Sequence, residues 1–349
     1  MGFIVHTREG YRVDVPHLLR ILLSALLLLA PSTLARSPMP TDPPRGDVRI
    51  VVFGDFNGPY GAVTYPDAVR RVVHAIGDVW RPDLVLLPGD LVAGQSRALP
   101  DERFTQMWSA FDEVAAAPLR AAGVPYAATM GNHDASSLLD PGGAFAFERE
   151  RVAAAAYWSQ PMYETNLAYV DRHDYPFTYA FRHGEVFVAV IDASSARVDD
   201  DQRAWLRSVL ARPEATSAAL RLVMGHLPLV GVSTKTGPGE VVTDGPEVAR
   251  LLQDHGVDTY VSGHHAAYYA GRWGGIELLF AGGIGARPIL GSSAPPRSAV
   301  TITDVWLAPL RVRHTTFDPA DWQVIAGTSL PERIEHPGGA VLRSPRALP

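Results

Sequence analysis

The chain contains no cysteine, which excludes disulfides, thiolate metal ligands, a cysteine nucleophile and lipoprotein acylation, and leaves the redox compartment open. Any metal must be held by His, Asp, Asn or Glu. The sequence also lacks a basic excess. At a formal net charge of −6 no nucleic-acid partner is expected, because binding a phosphate backbone draws on clustered Lys and Arg. A long apolar run is missing as well: Ile21 to Ala30 falls short of the roughly 20 residues a spanning helix needs. Arg12 and Arg20 precede that run and the small-x-small Thr33-Leu34-Ala35 follows it, so residues 1–35 read as a secretory signal peptide. The mature protein is expected to be periplasmic or secreted, with no membrane span after cleavage.

With 349 residues, 47% hydrophobic and 19% charged, the chain can bury a large core, and intrinsic disorder is not expected. Residues 36–46 form a Pro-rich linker that should run extended. A single domain is expected over residues 47–330, followed by a Pro- and Gly-rich, poorly ordered tail over 331–349. From Asp47, the apolar runs VRIVVFG, DLVLLPG and VPYAATMG alternate with helical patterns, and this βαβαβ order implies parallel pairing. Ala135 to Pro176 breaks the rhythm and reads as an insertion over the site, its aromatics Tyr157, Trp158, Tyr163, Tyr169 and Tyr175 serving packing rather than substrate. FTYAFRHG with EVFVAVID, and AVTITDVW with LRVRHTTF, read as hairpins.

Five short motifs stand where an apolar run becomes a loop: GDFN (Gly54 to Asn57), GDLV (Gly89 to Val92), GNHD (Gly131 to Asp134), GHLP (Gly225 to Pro228) and GHHA (Gly263 to Ala266). The carboxyl ends of strands are where open α/β sheets bind ligands. Singly, an Asp after a Gly is a turn residue or helix cap. Together, two carboxylates, a carboxamide and two imidazoles from separate strands need something positive between them, and a metal centre supplies it.

In this order the motifs resemble the calcineurin-like metallophosphoesterases, from about Asp47 to about Asp318. The resemblance implies an α/β fold, a four-layer αββα sandwich with two mixed β-sheets, and two divalent metal ions on one rim, with Zn, Mn, Fe and Co all compatible. It makes Asp90 the bridging ligand, gives one metal Asn132, His226 and His264, and gives the other Asp55 and Asn57. It further implies hydrolysis of a small phosphomonoester or phosphodiester by a metal-bound hydroxide, with His133 as proton donor or phosphate ligand.

Three departures from the family pattern stand out. Asn57 occupies a place that is commonly His, and Ala93 a place that commonly carries the Asp orienting the GNHD histidine, which leaves Asp134 as a candidate partner for His133. Ala266 ends the G-H-x-H motif without its second imidazole, leaving the first metal site weak unless His265 turns in. The sequence therefore supports a phosphoester hydrolase and, as an alternative, a weakly active or non-catalytic metal-binding relative. Substrate, metal identity and oligomeric state are left open.

Overall fold

The protein is described by a computed structural model covering Gly2, residues 39–235 and residues 237–347. The chain divides into residues 1–38 and 39–349. The expected signal peptide, Gly2 apart, lies outside the described residues, and the strands and helices below all belong to the second unit.

Alternation of side chains in β1 (Val48–Val52), β2 (Leu84–Leu87) and β3 (Tyr126–Ala128) builds two cores at once. Ile50, Val52, Leu84, Leu86 and Ala127 enter one core, while Val51, Val85, Leu87, Tyr126 and Ala128 enter another. Strands buried on both faces read as near-continuous apolar runs, as these do apart from the buried Arg49 in β1. Further along lie β4 (Ala168–Asp174), β5 (Thr178–His183), β6 (Val186–Val190), β7 (Leu220–Met224) and β8 (Thr259–Ser262). They are followed by β9 (Tyr268–Trp273), β10 (Ile276–Ala281), β11 (Val300–Leu307), β12 (Leu310–Phe317), β13 (Arg333–Ile334) and β14 (Val341–Arg343).

One sheet has the order β12-β11-β1-β2-β3 and the other β13-β14-β9-β10-β8-β7-β6-β5-β4. Parallel pairing joins β1, β2 and β3, and also β6, β7, β8 and β10, with antiparallel strands flanking both groups, so both sheets are mixed. The first core lies between the sheets. Helices Asp67–Ala75, Asp101–Phe111 and Glu148–Trp158 cover the outer face of the first sheet through the second core, and helices Asp200–Leu210 and Gly245–Asp254 pack on the second sheet. The result is the expected αββα sandwich. Among the described residues no helix is long and apolar enough to cross a membrane.

The tail departs from expectation. β14 adds to the free edge of β9, with Leu342 opposite Arg272, and β13 pairs with β14. Ile334 and Val341 are buried, and Arg343 donates to the Leu330 carbonyl at 2.7 Å. An unpaired strand edge is a template for another strand, and this segment supplies one. Its Gly338 and Gly339 serve the connecting turn, and their carbonyls accept from Trp273 Nε1. The Pro-rich stretch is likewise tied down: Arg49, fully buried, pairs with Asp42 and donates to the Pro43 carbonyl at 2.7 Å.

Candidate metal centre

β1, β2, β3, β7 and β8 all end at the same rim, and each is followed by one of the five glycine motifs. Two of these glycines are required by close approach. Gly89 has a left-handed φ of 89° and a Cβ there would stand 2.6 Å from His226 Nδ1, while a Cβ on Gly131 would collide with Asp90 Oδ1. Asp55, Asp90, Gln95, His264 and Ala266 are non-glycine residues with φ between 45° and 68°. Backbone strain of this kind gathers where a scaffold over-determines a functional geometry.

Asp90, Asn132, His226 and His264 are brought together. Asn132 Oδ1 lies 3.0 Å from His226 Nε2 and 2.8 Å from His264 Nδ1, the two ring nitrogens are 3.2 Å apart, and His226 Nε2 is 3.2 Å from Asp90 Oδ1. Ligand atoms of Asp90, His226 and His264 all fall within 4.8 Å of one another. The opposite edges of both rings are occupied: His226 Nδ1–H donates to the Pro88 carbonyl at 2.8 Å, and His264 Nε2–H donates to Glu240 Oε2 at 2.8 Å. With the outer nitrogens engaged in this way, His226 Nε2 and His264 Nδ1 are the ring nitrogens a cation would take, displacing any proton there, and a carboxamide oxygen and a carboxylate oxygen face the same point. Such a set of acceptors fits a divalent cation.

Asp55 stands beside it. Its Oδ1 accepts the His264 N–H at 2.8 Å, while Oδ2 is buried with no hydrogen-bond partner. A buried carboxylate oxygen without a donor is costly and suits a cation. Burial pushes Asp55 up to about 7 despite the attraction of His226, with the neighbouring Asp90 charge adding to the rise. His226 would be lowered by burial, but the Asp90 and Asp55 carboxylates raise it to about 9. Burial would raise Asp90, yet the His226, His133 and His264 side chains hold it well below the usual carboxylate range. Asn57, half-buried, donates its backbone N–H to the Asp90 carbonyl at 3.2 Å, and its side chain makes no hydrogen bond to the others.

His133 donates its backbone N–H to Asp90 Oδ1 at 3.0 Å, its ring Nδ1 lies 3.2 Å from the Gly94 carbonyl, and Tyr60 stacks on the ring at 5.4 Å. Nδ1–H therefore donates to Gly94 and Nε2 is left for chemistry. Asp134 is not its partner. That carboxylate accepts the N–H groups of Leu91 and Val92 on Oδ1 and of Gly131 on Oδ2, fastening the GDLV and GNHD loops together. His265 does not turn in: it is fully buried, its Nε2–H donates to the Glu240 carbonyl at 3.1 Å and its Nδ1 accepts from Val232 N at 3.4 Å. Burial lowers it to about 4.

Sequence reasoning missed Gln95, Glu150 and Glu240. Gln95 Oε1 accepts from Asn132 Nδ2 at 2.8 Å, and Glu150, buried on the inserted helix Glu148–Trp158, accepts the backbone N–H groups of Gln95 and Ser96. No local pattern marks them, because each acts across a long sequence separation. Asp192 belongs elsewhere, paired with Arg151 at 2.9 Å.

The profile of the calcineurin-like phosphoesterase family matches residues 48–268. No curated protein matches the chain. Among solved structures, the purple acid phosphatase PPD1 from yellow lupin (Lupinus luteus) seeds superposes with a TM-score of 0.55 at 17% identity, covering 82% of this chain and 54% of the lupin chain. GAP50, the anchor in the inner membrane complex of Plasmodium, superposes with a TM-score of 0.50 at 12% identity, covering 86% of this chain and 90% of that one. The chain thus spans about half the length of the lupin protein, and both likenesses are of fold.

Proposed function

Taking as premise that the chain belongs to the calcineurin-like phosphoesterase family and is a phosphoric ester hydrolase, we propose that its rim site is a two-metal centre acting on small phosphate esters. Asp90 would bridge, Asn132, His226 and His264 would hold the stronger ion, and Asp55 and Asn57 would hold a weaker one. The observation that carries the reading is the inward aim of Asn132 Oδ1, His226 Nε2 and His264 Nδ1, whose outer edges are tied to Gln95, Pro88 and Glu240. When bound, the metal ions neutralise charge on the phosphate oxygens and acidify the attacking water.

The chain's own residues do the rest. Asp90 Oδ1 accepts the His133 N–H and lies 3.2 Å from His226 Nε2, which places the donor histidine beside the bridging carboxylate. His133, anchored through Nδ1–H to Gly94, would in its imidazolium form pass the Nε2 proton to the departing alkoxide oxygen and be left as the neutral Nδ1–H tautomer. A panel of phosphomonoesters and phosphodiesters, assayed with metal-stripped protein and with individually restored ions, tests the proposal. Turnover that returns with metal supports it. Tight metal binding with no turnover on any ester would favour the non-catalytic relative instead.

A further inference from the structure

Lysine and arginine together number 31, yet Lys235 is the one lysine in the chain. Guanidinium carries the basic charge everywhere else. An ammonium differs in being a compact, strongly hydrated point charge with three donors on a flexible stem. That single ammonium stands at the metal centre: Nζ is 3.0 Å from His264 Nε2, 3.4 Å from His264 Nδ1 and 3.4 Å from the His264 carbonyl, and 3.2 Å from Glu240 Oε2. The ammonium stands nearer Nε2, the nitrogen turned to Glu240, than Nδ1, the nitrogen turned to Asn132 and His226, so it does not occupy the ligand position on Nδ1.

The surrounding backbone is anchored. Lys235 N donates to Ser233 Oγ at 3.2 Å, Thr234 N donates to the Pro288 carbonyl at 3.1 Å, and Ser233 bridges to Ile289. The next residue on that facing loop, Arg287, donates its N–H to the Ala266 carbonyl at 2.8 Å. The loop that carries Lys235 is thus pinned beside the motif that lacks its second imidazole. The Lys235 side chain retains 20% exposure, so it is reachable from solvent, and Glu240 engages only part of its donor capacity.

We propose that Lys235 is a substrate-binding residue, its ammonium taking a non-bridging oxygen of the phosphoryl group and adding fixed positive charge to a centre with one poorly furnished metal shell. The inference rests on the phosphoesterase reading above. It assigns the lysine a direct contact with substrate, and Glu240 the task of aiming both the ammonium and His264.

A sole lysine can be followed chemically, with the α-amino group as the only other amine. Metal-loaded full-length protein would be acetylated with acetic anhydride with and without inorganic phosphate, and the Lys235 peptide quantified by mass spectrometry. Phosphate binding to wild type, K235M and K235R would be measured by calorimetry alongside metal content. Expected are slower acetylation of Lys235 in phosphate, phosphate binding about tenfold weaker in K235M at unchanged metal content, and partial recovery in K235R. The inference is overturned if K235M binds phosphate within about twofold of wild type, or if K235M loses metal, which would make the lysine a structural element. Wild type that binds phosphate through Lys235 but hydrolyses no ester would sink the phosphoesterase reading and leave this inference standing. Hydrolysis together with unaltered phosphate binding in K235M would do the reverse.

Discussion

Gln95 Oε1 accepts a 2.8 Å hydrogen bond from Asn132 Nδ2, and that contact turns the Asn132 amide so that its oxygen faces the two histidines. Gln95 itself has a φ of 68° and is held there by Glu150, which accepts its N–H at 2.8 Å. A residue of the insertion therefore reaches the metal shell through two hydrogen bonds. Replacing Gln95 with Leu should weaken metal binding by roughly 10- to 100-fold, the usual consequence of losing a partner behind a metal ligand. Competition with a chromogenic chelator measures it, and an affinity equal to wild type would show that Asn132 is not oriented in this way.

Asp90 and His133 should separate metal binding from turnover. Asp90→Asn is expected to abolish activity and lower bound metal, since one carboxylate serves the whole cluster. His133→Ala should keep the metal while turnover falls roughly 100- to 10,000-fold, the range of a lost general acid. Elemental analysis beside kcat decides between them, and an emptied site in His133→Ala would remove its assignment as donor.

Ala266 already sits at a left-handed φ of 45°, so a larger side chain there brings no new class of backbone strain. Its neighbour Gly285 donates to the Asp55 carbonyl at 3.4 Å, and a Cβ on Gly285 would lie 3.7 Å from the Ala266 methyl, which places the position beside the Asp55 loop. Ala266→His should strengthen the weaker metal site by roughly tenfold or more. Wild type should retain between one and two ions after dialysis. His265→Ala should leave that site unchanged, because both ring nitrogens are bound to backbone.

His314 provides a pH test away from the centre. It is buried between the sheets, with Nδ1 2.9 Å from Thr303 Oγ1, and burial followed by the Arg346 charge lowers it from 6.5 to about 3. Between those values the unfolded chain binds a proton that the folded one does not, so stability is full above about 6.5 and declines toward about 3. One such group contributes at most about 1.4 kcal/mol per pH unit. Thermal melts across this window should decline less steeply for His314→Gln than for wild type. Parallel curves would mean that His314 stays charged when folded.

Export itself is open to test. We propose that cleavage after Ala35 leaves a mature chain beginning near Arg36, and N-terminal sequencing of protein from a secreting host checks this. Recovery of Met1 would remove the proposed localisation.

The parallel start of the fold and the five glycine motifs are legible in the sequence because both rest on short-range patterns, while the sandwich and the ligand roles come through the family resemblance of those motifs. Apolar runs such as VRIVV and LVLL announce strands buried on two faces, and a Gly followed by Asp, Asn or His at a strand's end announces a ligand at the rim. The partner of His133 is not legible in this way, since Asp134 is adjacent in sequence but consumed by three backbone N–H groups. Nor is the order of the tail, because Pro and Gly content says nothing of an unpaired strand edge waiting elsewhere.

Sequence alone carried the parallel βαβαβ start, the five motifs and the absence of thiol chemistry, since each follows from residue type and local spacing, while the αββα architecture and the loss of an imidazole at Ala266 followed from the family resemblance that those motifs carry. Tertiary structure decided which groups complete the site. Glu240 and Lys235 approach His264, Gln95 approaches Asn132, and His265 is committed to backbone, through contacts separated by between 24 and 37 residues. Loops bring these side chains together only after the sheets have formed, and a hydrogen bond across that distance leaves no periodicity in the chain to read.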